Sequence, residues 1–154
     1  MKEYLVNTFR YNDTANRRLL GKILQLPDPT QGVKYLSHLI HSQNKWMARI
    51  TGAANAQELD WWEPVYPHDE LEAAWQQSVE RWIDYVESHS EAELSTEVTY
   101  TGFDGTLFAA TPQDIALQLN YHSIHHRAQV QTMIRAQGLE PDFLDYIGTK
   151  YRRM

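Results

Sequence analysis

Four stretches of this chain repeat apolar side chains every three or four residues, and each is long enough for several helical turns. The first runs over residues 3–26, where Leu5, Phe9, Leu19 and Ile23 form one stripe that Asn12 and Asn16 complete. Pro27-Asp28-Pro29 ends it, because proline cannot continue a helix. The second covers residues 30–51, with Leu36, Leu39, Ile40, Gln43, Trp46, Met47 and Ile50 as its stripe and Gly52 as its stop. The third opens on Asp69-Glu70-Leu71-Glu72, which reads as a capping box. It continues through Leu71, Trp75, Val79, Trp82 and Val86 to about Ser88. The fourth starts at Thr111-Pro112-Gln113-Asp114 and ends near Gln137, with Gly138 as C-cap. Four long amphipathic helices predict an all-α, four-helix bundle.

The segments between them add detail. Residues 52–68 carry Trp61-Trp62, Pro64 and Pro67 with no period, and a loop of that length in a compact domain is commonly functional. It is also long enough to cross the bundle from end to end. Val98-Thr99-Tyr100-Thr101 and Thr106-Leu107-Phe108 flank Gly102-Phe103-Asp104-Gly105, a hairpin signature between the third and fourth helices. Residues 142–154 have no clear assignment.

A length of 154 residues predicts one domain spanning the chain. Fourteen basic against twenty acidic residues leave a net charge of −6, which argues against nucleic-acid backbone binding. With no cysteine, disulfides and thiolate chemistry by the protein itself are excluded. The N-terminal residues do not read as a signal peptide, and no apolar run reaches membrane-spanning length. The expectation is a cytoplasmic protein with no membrane partner.

Histidine placement is the most informative feature. His122 and His126 fall on the stripe Ile115, Leu119, His122, His126, Val130, Met133 of the fourth helix. Residues four apart are separated by only ~40° around the axis and one turn along it, so two such imidazoles can share an ion. A lone inward histidine is usually a satisfied core residue, but two in one seam each need partners on both nitrogens. No glutamate follows His122, so this is not the metalloprotease HExxH motif. His125 lies off the seam. A third ligand would come from the second helix, where His38 and His41 both stand off the apolar stripe and periodicity leaves the choice open. Asn12 and Asn16 read as helix cross-links, or as support for a polar site. Arg127 reads as a surface residue, or as a contact for an anionic substrate. Trp46, Trp61 and Trp62 are candidates to line a pocket.

The run His122-Ser-Ile-His125-His126-Arg127-Ala128-Gln129 resembles the HxxHHRGQ signature of the DinB/YfiT-like metalloenzyme family. His38, eight residues before Trp46, is similar to that family's second-helix motif. Tyr11 to Leu20 resembles its first-helix motif, and Gly138 to Ile147 its closing segment. Thr14 stands where the family often has tryptophan, and Ala128 where it often has glycine. The resemblance implies an up-down-down-up bundle and a divalent metal, zinc or nickel, held by His38, His122 and His126, so it selects His38 over His41. It further implies homodimers and a metal-dependent enzyme, a thiol-dependent transferase or a hydrolase acting on a small molecule such as a low-molecular-weight thiol. The alternative is a non-catalytic, stress-response metal-binding protein whose site stabilises the bundle. No catalytic acid or base is identified.

Overall fold

The computed structural model describes residues 1–152 and 154. Four long helices dominate it: α1 (Lys2–Ile23), α2 (Thr30–Ile50), α3 (Leu71–Ser88) and α5 (Pro112–Ala136). A single turn, α4 (Glu91–Leu94), and an antiparallel hairpin of β1 (Val98–Thr101) and β2 (Leu107–Ala110) join α3 to α5. A 3-10 turn covers Tyr146–Thr149. Among the described residues, no helix is long and apolar enough to cross a membrane.

α1 packs on α3 and α5, and α2 packs on the same two helices. The apolar stripes meet in one core, where Phe9, Trp82, Ile40, Leu71 and Ile134 are among the most completely buried side chains. Phe9 and Trp82 stack at 5.8 Å, and the Trp82 indole N–H donates to the Gln43 carbonyl at 3.0 Å, joining α3 to α2.

Both ends of α5 follow their local chemistry. Thr111 caps α5 by accepting the Asp114 backbone N–H, with Pro112 in the first turn. Past α5, Gly138 takes φ +85, a left-handed conformation that costs side-chain-bearing residues steric strain. The capping box expected at Asp69 is absent: α3 begins at Leu71 after Glu70, with no side-chain cap. A complete capping box instead starts α4, where Ser90 and Glu93 satisfy each other's backbone N–H groups. The first helix stops at Ile23, before the prolines, and residues 24–26 form turns that bury Leu26. The unassigned tail is anchored by Leu144, which is buried and whose carbonyl accepts the Tyr11 hydroxyl at 2.6 Å.

Candidate metal centre

Three imidazoles converge between α2 and α5. His38 Nε2 lies 3.1 Å from His122 Nε2, which lies 2.8 Å from His126 Nε2. One nitrogen from each ring falls within 4.8 Å of the others. His38 and His126 are buried and His122 is half-buried.

The far sides of two rings fix their tautomers. His38 Nδ1 is 2.6 Å from the Trp61 carbonyl, which can only accept, so the proton sits on Nδ1. His126 Nδ1 donates likewise to Gln129 Oε1 at 2.6 Å. Both Nε2 atoms therefore present bare lone pairs toward His122. A proton on His122 Nε2 satisfies one of them well, never both, whereas a cation among the three satisfies every lone pair. The donor set is thus compatible with a metal ion.

Electrostatics favour the same state. Burial lowers the pKa of His38 and of His126, and pushes His122 down to about 4, with the neighbouring histidines adding to the shift at His122. All three rings are neutral at pH 7, the form that coordinates metals.

The connector explains why His38 faces inward despite lying off the apolar stripe. Residues 52–70 fold back along a second face of α2, made by Ser37, His38, His41, Lys45 and Arg49. Besides the Trp61 carbonyl on His38, the Pro64 carbonyl accepts from His41 Nε2 at 2.7 Å, and Ser37 Oγ accepts the Tyr66 N–H at 3.0 Å. Lys45 Nζ donates to the Leu59 carbonyl. Trp62 lies flat on the His38 ring, 3.7 Å between centroids and 9° between planes. Tyr35 stands 5.0 Å from the His126 ring.

The other candidates separate clearly. His41 holds the connector and is not in the cluster. His125 is exposed, although its ring lies 5.0 Å from that of His126. Trp62 alone of the three candidate tryptophans covers the cluster closely. Trp46 and Trp61 gather instead around Arg49, nearer the end of α2. The surface reading of Arg127 is wrong: it is 3% exposed and binds Asn12 Oδ1 (3.1 Å), Asn16 Oδ1 (3.2 Å) and the Tyr11 hydroxyl (2.8 Å). α5 touches both α1 and α2, so it buries two stripes, and Arg127 belongs to the one facing α1. Asn12 and Asn16 act as cross-links, donating to Asn120 Oδ1 and Ser123 Oγ, each at 2.7 Å.

A helical protein with three histidines drawn from two long helices is thereby defined. The chain belongs to the DinB superfamily, whose family model matches residues 32–130. That match contains all three clustered histidines, whereas the first-helix and closing segments lie outside it. No curated protein matches the chain.

Proposed function

We propose that this protein is a divalent-metal-dependent enzyme of the DinB-like type, with His38, His122 and His126 as the metal ligands and zinc or nickel as the metal. The observation that carries this reading is the convergence of three Nε2 lone pairs whose opposite nitrogens are committed to oxygen acceptors. Three protein ligands leave coordination positions free, the arrangement of catalytic rather than structural sites. When bound, such a metal supplies Lewis acidity and lowers the pKa of a coordinated water or thiol. The chain's own contribution is orientation and shielding. The Trp61 carbonyl and Gln129 hold two imidazoles in the ligating tautomer, Trp62 and Tyr35 restrict water on one side, and half-buried His122 marks the side a substrate reaches. The reaction proposed is a thiol-dependent transfer or a hydrolysis on a small molecule, the thiol being brought by the substrate or cosubstrate because the chain has no cysteine.

The architecture proposed for this site is one helical domain in up-down-down-up order, acting as a cytoplasmic homodimer. Helix order is supported by paired positions. Arg17 meets Glu72, Asp13 meets Trp75 and Lys2 meets the carbonyls of Glu87 and His89, so numbering rises along α1 as it falls along α3. Asn12 meets Asn120 and Asn16 meets Ser123, so α1 and α5 rise together.

A second reading, a non-catalytic metal protein, is favoured by one observation: the cluster ties α2, α5 and the connector together, so an ion there also staples the bundle. Elemental analysis after loading with zinc or nickel tests the shared premise. One ion per chain is expected, falling sharply in His38→Ala, His122→Ala and His126→Ala. Less than one ion per several chains overturns both readings. Turnover of thiol adducts by the loaded protein then supports the enzyme, and a large loss of stability on chelation without turnover supports the staple.

A further inference from the structure

Eleven residues beyond His38 on the same helix, or ~16 Å along its axis, Arg49 occupies an unusual position. The residue is 9% exposed, yet among the described residues its guanidinium makes no hydrogen bond or ion pair. The Nε atom is fully buried without a partner. Three aromatic rings box the group, with its carbon 4.9 Å from the Trp46 ring, 5.1 Å from Trp61 and 5.2 Å from Tyr100. Rings covering the faces of a guanidinium leave its N–H edge as the part free to bind.

Arg49 lines a cavity of about 210 Å³ between the end of α2, residues 52–57 and β1. Gly52, Ala53, Gln57, Tyr100 and Thr101 contribute to its wall, and none of the lining residues is acidic. A second buried cation, Lys45, lies one turn back with its ammonium 5.0 Å from the Trp61 ring, and its own acceptor is the Leu59 carbonyl. Burial lowers the pKa of both cations. A largely buried charge with no counter-charge is costly, so native proteins commonly pair it or give it a ligand, and here only Nε of Arg49 is cut off from solvent altogether.

We infer that this cavity is an oxyanion-binding site, separate from the histidine cluster, in which Arg49 receives the carboxylate or phosphate group of a small molecule through its N–H edge. Planar, paired N–H donors match both groups, and the aromatic box fixes the fork in place before binding. The inference does not depend on a metal at the histidines. It is consistent with the chain's net negative charge, because the site is a single buried fork and not a basic surface.

The test uses the full chain, stripped of metal with chelator, titrated with inorganic phosphate and separately with acetate, with chloride at matched ionic strength as the control. Tryptophan fluorescence reports on Trp46 and Trp61, and NMR reports on the Arg49 Nε–H. Saturable binding is expected for at least one of the two anions, and the one that binds identifies the group. Affinity should fall at least about tenfold in Arg49→Met, the loss expected for a charge-assisted pair of hydrogen bonds, and should persist in His122→Ala. A response that chloride reproduces, equal affinity in a folded Arg49→Met, or loss of binding in His122→Ala overturns the assignment. If Arg49→Met does not fold, the wild-type Nε–H resonance decides. Saturable movement with phosphate or acetate supports the site, and a resonance unmoved by both refutes it.

Discussion

Replacing Arg127 with methionine isolates the network that holds α1 against α5. The guanidinium donates to Asn12, Asn16 and Tyr11, and its carbon lies 4.8 Å from the Tyr11 ring. Methionine fills much of the volume but donates nothing. Asn12 Oδ1 and Asn16 Oδ1 then become buried acceptors with no donor, whereas the Tyr11 hydroxyl keeps its bond to the Leu144 carbonyl. Two orphaned acceptors cost roughly 1–3 kcal/mol each. Removing a buried cation that has no carboxylate within ion-pair distance among the described residues returns part of that, so the net loss is about 2–4 kcal/mol. At roughly 2–4 °C per kcal/mol for a chain of this size, the melting midpoint falls by about 5–15 °C. Circular dichroism in a thermal or urea series measures it. A double-mutant cycle with Asn12→Ala should give a coupling of at least about 1 kcal/mol, because the two side chains share one bond in a buried network. Metal content of the folded variant should match wild type, since Arg127 points to α1 while its neighbour His126 points to α2. A variant as stable as wild type, or additive changes in the cycle, would refute the view that Arg127 is a structural hub.

Trp62→Ala removes the ring stacked on His38 and frees the segment whose carbonyl fixes its tautomer. Metal affinity in a chelator-competition titration should fall by roughly 10–100-fold, as for other partners that orient a ligand, and unchanged affinity would exclude an orienting role. Gln43→Met removes a buried amide oxygen that has no hydrogen-bond partner among the described residues; stability should rise by up to about 1 kcal/mol in urea denaturation, and a loss would show that the amide has a partner in solution. For the metal-free protein, the histidine shifts give the sign of a pH effect. Folded His38, His122 and His126 all titrate below the ordinary value of 6.5, so between that value and about 4 the unfolded chain binds more protons. Stability is therefore lost as pH falls through this window, and His122→Gln should flatten the slope of urea midpoint against pH.

How much of this was legible in the sequence depends on what each signal depends on. The four long helices were, because each stripe reports burial against the same core, and Thr111, Pro112 and Gly138 mark ends through backbone chemistry that needs no partner. The capping box at Asp69 failed because the same residue types occur in solvated turns, and only the backbone angle decides whether an oxygen reaches an N–H. The histidine pair on α5 was legible because both rings come from one helix, whose geometry is fixed. Arg127 was misread because a charged residue is expected outside, and its three acceptors come from a helix more than a hundred residues away in sequence.

His38 sharpens the point. Apolar periodicity finds the face of α2 that meets the core, but this helix buries a second face under the connector, and that face is polar. Its signature was present as a stripe at spacings of three and four: His38, His41, Lys45, Arg49. Each member of that stripe meets the connector. His38, His41 and Lys45 bind the carbonyls of Trp61, Pro64 and Leu59, and Arg49 stacks on Trp61. A long loop without period, rich in tryptophan and proline, must find acceptors and donors somewhere, and a helix carrying a periodic polar stripe beside its apolar one is where they are found. The two faces of α2 thus do different work. The apolar one builds the bundle, and the polar one folds the connector into a wall that sets the tautomer of one imidazole and boxes one guanidinium. The polar stripe on α2 and the length of the connector are therefore one feature, and neither can be interpreted without the other.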